Sequence, residues 1–127
     1  MTTAPLTISD IQLEHFSTVS RHQDRAIFVQ MRGNADMQAQ EVLDGLLQQL
    51  DADAKRLAVS ETVVDVAELY FMNSSCLSLL MRWITSLMQE TTAHRYTVRF
   101  KAHPTLRWQK RSLMALVTLA KGVVVIE

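Results

Sequence analysis

Val63-Val64-Asp65-Val66-Ala67-Glu68-Leu69-Tyr70-Phe71-Met72-Asn73-Ser74-Ser75-Cys76-Leu77 reads as a short buried strand that passes through a turn into a helix. Val63, Val64 and Val66 are β-branched residues of the kind that fill buried strands. From Ser74 to Gln89 the apolar period changes. Leu77, Leu80, Met81, Ile84, Leu87 and Met88 recur at helical spacing and predict one core-facing stripe. Asn73 or Ser74 can cap this helix by accepting from the N–H groups that a first turn leaves free. A phosphoryl group on Ser74 would sit where a helix terminus favours negative charge.

Working outward, the flanking segments supply the rest of a sheet and its helices. The apolar residues Ile11, Leu13, Phe16 and Val19 predict a strand over 11–19, His22-Gln23-Asp24 a turn, and Ala26 to Met31 a second strand that ends at Arg32-Gly33-Asn34. Ala39, Val42, Leu43, Leu46, Leu47 and Leu50 mark a helix, with Asn34 or Asp36 at its start. Tyr96, Val98 and Phe100 alternate with Arg95, Thr97, Arg99 and Lys101, the period of a strand with one wet face. Pro104 suits the first turn of a further helix. Leu106, Leu113, Leu116, Val117 and Ala120 give that helix its stripe, Gly122 its stop, and Val123 to Ile126 form a last strand. The order is β-β-α-β-α-β-α-β. Strands separated by helices imply parallel crossovers, so the strands at 62–66 and 95–101 are predicted to pair in parallel, while the first two strands form a hairpin. The expected fold class is α/β, a mixed four- to five-stranded sheet with three principal helices packed on it. Residues 1–10 read as a loose lead-in and 11–127 as a single domain.

The segment Phe71-Met72-Asn73-Ser74-Ser75-Cys76-Leu77-Ser78 resembles the phosphorylation-site segment of STAS domains, the fold of bacterial anti-sigma-factor antagonists. The family's usual run is an apolar pair, then Asp-Ser-Ser/Thr-Gly-Leu-Gly, then an amphipathic helix. The apolar pair, both hydroxyls and the Leu match. Asn73 stands where the family has Asp, and Cys76 and Ser78 stand where it has glycines. The resemblance implies a divergent STAS-like protein that acts as a partner switch, with Ser74 as phosphoacceptor and Ser75 as a secondary one. It also implies a serine kinase related to anti-sigma factors and a serine phosphatase as partners. The departures Asn73 and Cys76 leave an alternative open, a constitutive STAS-like scaffold or subunit that binds a signalling partner without phosphorylation.

Composition bounds the remaining possibilities. The 127 residues are 48% apolar, with three glycines and two prolines, which predicts a folded domain rather than disorder. No apolar run approaches the ~20 residues of a membrane span. The single cysteine cannot form an intramolecular disulfide, and no secretory pattern opens the chain, so the cytoplasm is the expected location. Net charge is zero, yet residues 34–68 hold eight Asp/Glu against two Lys/Arg, and residues 94–121 hold seven Lys/Arg and no acid. Without an aromatic platform or basic repeat, this basic segment reads as solvated helix and strand edges, not as a nucleic-acid surface.

No P-loop, dinucleotide fingerprint or nucleophile elbow occurs. His15, His22, His94 and His103 show no metal-ligand spacing. The expectation is therefore a non-enzymatic binding module with no cofactor and no metal. Cys76 lies near a helix N-terminus, where a thiol pKa can fall, but no motif ties a base to it. It reads as a small semi-buried side chain in a position the family gives to Gly. Leu79 and Trp83 fall off the predicted stripe and touch at i, i+4, which fits either a partner surface or packing beneath a neighbouring loop. The expected docking set is thus Asn73, Ser74, Ser75, Cys76, Leu79 and Trp83. Trp108, flanked by Arg107, Lys110 and Arg111, reads as core or edge packing.

Overall fold

The structure, a computed structural model, describes residues 3–127. Within them the chain forms β1 (Ile11–Gln12), β2 (Phe16–Gln23), β3 (Ala26–Ala35), α1 (Met37–Arg56), β4 (Glu61–Met72), α2 (Ser74–Met88), a 3-10 turn (Thr92–His94), β5 (Thr97–Lys101), α3 (Arg107–Leu119) and β6 (Val124–Ile126). The strands lie in one sheet in the order β1-β2-β3-β4-β5-β6. The β1-β2 and β2-β3 pairs are antiparallel, and the three pairs from β3 to β6 are parallel. This is the mixed α/β sheet with three helices that the sequence predicts, including the parallel pairing of Thr62 with Val98.

Six strands replace the expected four or five. Residues 11–19 do not form one strand: the chain folds back between Gln12 and Phe16, so Ile11 pairs with Thr18. The Leu13 N–H donates to the Phe16 carbonyl at 2.8 Å and closes that turn. Strand β3 also runs on past Gly33, to Ala35. Gly33 can sit there because its φ is +94° and a Cβ would collide with the His15 carbonyl oxygen. No side chain fits that gap.

Because β3, β4, β5 and β6 follow one another across the sheet, each right-handed crossover places its helix on the same face. Burial agrees: Ile27, Val29 and Met31 of β3 are fully buried against the helices, while Phe28 and Gln30 on the other face are half-buried. Leu43, Leu47 and Leu50 of α1, Leu80, Ile84 and Leu87 of α2, and Leu113 and Leu116 of α3 complete the core.

The lead-in expected to be loose is fastened over its described part. Residues 1 and 2 lie outside the described residues. Asp53 of α1, with a side chain 1% exposed, accepts from the Thr7 N–H and hydroxyl, each at 2.8 Å, and from the Ile8 N–H at 3.2 Å. Arg56 adds a 3.0 Å ion pair to the same carboxylate. Burial alone would raise the Asp53 pKa, but the Arg56 and Thr7 bonds outweigh it and hold the group below its ordinary range.

These contacts can be tested by substitution. Gly33→Ala should lower stability by roughly 1–3 kcal/mol, measured by denaturant titration, since both the backbone angle and the His15 contact must yield. Asp53→Asn should narrow its deficit in acid. A depressed carboxylate pKa contributes stability that is complete above the unfolded value of about 3.9 and is lost as pH falls through the folded value. The gap between wild type and variant should therefore be constant from about pH 5 to 8 and shrink below about pH 4.

Candidate functional site

Strand β4 outruns its neighbour. Its pairing with β5 ends at Asp65–Lys101, but β4 continues to Met72 alongside β3 alone. Two irregularities shape this overhang. Gln30 pairs with Asp65 and Arg32 with Glu68, so β4 carries one extra residue there; a second follows between Leu69 and Phe71. The first shifts the buried phase from Val64 and Val66 to Leu69, and turns Glu68 outward to meet Arg32 at 2.9 Å. The second leaves Tyr70 and Phe71 exposed, at 57% and 49%. Bulges of this kind re-aim side chains at the end of a strand. The edge that β5 vacates is filled by Gln109 of α3, whose amide nitrogen donates to Val66 O at 2.6 Å and Leu69 O at 3.0 Å.

The turn itself is capped by Asn73, not by Ser74. Asn73 is extended, at φ −75° and ψ 167°, and its Oδ1 accepts from the Cys76 N–H at 2.8 Å. Its own N–H donates to Ala35 O at 2.9 Å, which ties the turn to the end of β3. Ser74 is therefore the first helical residue. It is exposed, as is Ser75, and neither hydroxyl has a hydrogen-bond partner among the described residues. The N–H groups of a helix's first turn point toward this position. Capping, the ordinary reason for a serine here, does not explain Ser74.

Cys76 is fully buried, with Sγ 3.5 Å from the Asp36 carbonyl oxygen. Burial, followed by the nearby Asp36 carboxylate, pushes its thiol pKa up to about 11. It cannot touch a partner in this arrangement and is no activated nucleophile. The expected contact role for Cys76 is corrected to a packing role where α1 and α2 begin.

Leu79 and Trp83 are corrected as well. Both are buried in the core, at 8% and 6% exposed, rather than on the outer face. The stripe of α2 that faces inward is Cys76, Leu79, Leu80, Trp83, Ile84 and Leu87, while Met81 is exposed and Leu77 and Met88 are half-buried. Leu80, Ile84 and Leu87 belong to both stripes, and the rotation is set by what Tyr96, just ahead of β5, offers to Trp83. The indole N–H donates to the Tyr96 hydroxyl at 2.9 Å, which donates in turn to Asp51 at 2.6 Å. Lys55 bridges Asp51 at 2.9 Å and Glu90 at 2.6 Å, and these bonds raise its pKa, Glu90 first. Burial, then the Asp51 bond, raises the Tyr96 pKa and keeps the phenol a donor. Trp83 thus anchors the back of α2.

What the sequence missed is a set of exposed large apolar side chains near this end of the sheet. Met37, the first residue of α1, is 77% exposed, and Tyr70 and Phe71, near the end of β4, are exposed as well. The signal was present: Leu69-Tyr70-Phe71-Met72 cannot all face one side of a strand. Trp108 packs against the core, and Arg107, Lys110 and Arg111 are exposed. The described residues contain no group of three or more His, Cys, Asp or Glu able to hold a metal ion, and no helix long and apolar enough to cross a membrane.

The chain matches no protein-family model and no curated protein. Solved structures do resemble it. An anti-sigma factor antagonist from Mycobacterium paratuberculosis superposes with a TM-score of 0.62 at 17% identity, covering 84% of this chain and 83% of that one. The fold is STAS-like. The anti-sigma factor antagonist SpoIIAA in its unphosphorylated form gives 0.51, also at 17% identity, covering 74% of this chain and 79% of that one. With this STAS-like fold, the turn at Asn73-Ser74 is the segment that the sequence resemblance singles out.

Removing the Tyr96 hydroxyl tests the anchoring network. Tyr96→Phe leaves the buried Trp83 N–H and an Asp51 oxygen without their partner, and should cost about 1–3 kcal/mol by denaturant titration. Trp83→Ala should cost about 3–5 kcal/mol, as truncation of a buried tryptophan does and of a surface one does not.

Proposed function

We propose that this chain is a non-enzymatic regulatory module that binds a protein partner through the β4–α2 turn, and that reversible phosphorylation of Ser74 decides whether it binds. The observation that carries this reading is the unengaged Ser74 hydroxyl, held exposed at the head of α2 by a cap supplied by Asn73. Resemblance to the anti-sigma-factor antagonists supports a serine kinase of the anti-sigma-factor type as partner, with a phosphatase to restore the hydroxyl. Ser75, equally exposed, is the secondary acceptor.

The docking surface consists of Asn73, Ser74 and Ser75 framed by Met37, Tyr70 and Phe71, which take the place of Leu79 and Trp83. Exposed aromatics at the centre of a contact supply much of its affinity. A phosphoryl group brings about −1.5 to −2 charges and three acceptors. In the free chain those charges meet the N–H groups and dipole at the head of α2. Once a partner covers the apolar frame, the same charges must be desolvated, and the complex is disfavoured. The switch is thus a competition between water and partner for one hydroxyl position.

One feature favours a second reading, in which the chain binds constitutively. Asn73 is uncharged and its oxygen is already engaged by the Cys76 N–H, so it cannot help to hold a kinase metal as an aspartate could.

Intact-mass spectrometry of the protein purified from its native host should show a species heavier by about 80 Da that Ser74→Ala removes. Its absence under all growth conditions would favour constitutive binding. Ser74→Asp should weaken capture of the partner while Ser74→Ala preserves it. Tyr70→Ala or Phe71→Ala should lose at least about 2 kcal/mol of affinity, with stability changed by no more than ~0.5 kcal/mol.

A further inference from the structure

Gln109 is a fully buried polar residue, and all of its side-chain hydrogen bonds lead away from its own helix. Its Nε2 donates to the carbonyls of Val66 and Leu69, at 2.6 and 3.0 Å, which lie on either side of the extra residue in β4. Its Oε1 accepts from the His103 N–H at 2.7 Å. The side chain therefore takes the place of a strand rung just where β5 has ended. It joins the β4 overhang, the connection between β5 and α3, and α3 itself. No backbone group of β5 reaches these two carbonyls, since the last β4–β5 pair is Asp65–Lys101. Buried carbonyls without donors are strongly disfavoured, so the bulged form of β4 depends on this amide.

We propose that Gln109 is the positioning residue of the Ser74 turn, so that the presentation of Ser74 is conditional on the seating of α3. This rests on the reading of Ser74 as the functional residue. The bulge that Gln109 holds sets the phase of Leu69, and Leu69 sets where Tyr70, Phe71 and the Asn73 cap emerge. The outward side of α3 carries Arg107, Lys110, Arg111 and the exposed Met114. A contact that shifts α3 through these residues shifts the amide, and through it the turn.

The turn contains its own reporter. Cys76 is the only cysteine and is fully buried, so its alkylation by N-ethylmaleimide requires the head of α2 to open. Gln109→Leu, in the full chain, is compared with Val98→Ala, a core truncation at the other end of β4's pairing with β5. The Leu variant should react roughly tenfold faster than the Val98 variant once the two are brought to equal stability by temperature. Equal rates would reduce Gln109 to an ordinary core residue and overturn the proposal.

Gln109→Glu gives a second, bond-specific test that holds even where the Leu variant does not fold. Its carboxylate would face two carbonyl oxygens, whereas its protonated form can donate to one and still accept from His103. The alkylation rate of Gln109→Glu, taken relative to wild type at each pH, should fall toward unity as pH is lowered through the raised pKa of a buried carboxyl. A ratio that stays flat with pH would count against the specific role. Neither readout involves phosphate, so a chain never modified on Ser74 would still distinguish a positioning Gln109 from one that merely fills the core.

Discussion

Strand β4 is longer than the sheet that supports it, and most of the site follows from that mismatch. From Val66 to Met72 it has β3 on one side and no strand on the other. Backbone groups stranded in this way must find partners or bend toward water. The chain does both. Gln109 and the Asp65 carboxylate, which accepts from the Ala67 N–H at 3.0 Å, satisfy the first bulge, and the second turns Tyr70 and Phe71 out to solvent. The overhang ends where Asn73 bonds to the last residue of β3, so the head of α2 is held next to the head of α1.

Within the turn, polar groups divide the work so that two hydroxyls, those of Ser74 and Ser75, are left over. Asn73 supplies the cap, Cys76 fills the space between α1 and α2, and Ser78 directs its hydroxyl to the Ser74 carbonyl at 3.0 Å. The back of α2 is fixed independently by the chain of bonds from Trp83 through Tyr96 and Asp51 to Lys55. A helix held at its back and capped by its neighbour's side chain presents its first residues without needing them for its own stability. That separation of support from display is what a modification site requires, since adding a bulky anion to a structural cap would unfold the element that presents it.

The basic stretch of the sequence is divided by the fold into groups with different tasks. Arg95 is used on the carbonyls of Met88 and Glu90, closing the end of α2, and Arg99 pairs with Glu61 on the uncovered face of the sheet. Arg107, Lys110 and Arg111 remain on α3, which begins at the same end of the sheet as α2. Of the seven Lys and Arg in this run, Arg95 and Arg99 are thus tied into the fold, while Lys101, Arg107, Lys110, Arg111 and Lys121 lie exposed.

Periodicity and turn chemistry determined the order of elements, the parallel crossovers and the turn at Asn73-Ser74, because a change of apolar period from two to near 3.6 is a local property. The same locality explains where the sequence misleads. Helix α2 is apolar around more than half its circumference, so two stripes fit it equally well; the bonds from Trp83 to Tyr96 and from Tyr96 to Asp51 of α1 chose the one containing Leu79 and Trp83. The extra edge strand and the two bulges insert single residues into an alternating pattern, and their positions depend on partners such as Thr18 and Gln109 that lie elsewhere in the chain. That both serines are exposed, that the cysteine is buried and that Tyr70 and Phe71 turn to solvent are therefore set by pairing and packing across the sheet. A linear sequence names the groups that can act; the third dimension decides which of them have nothing else to bond.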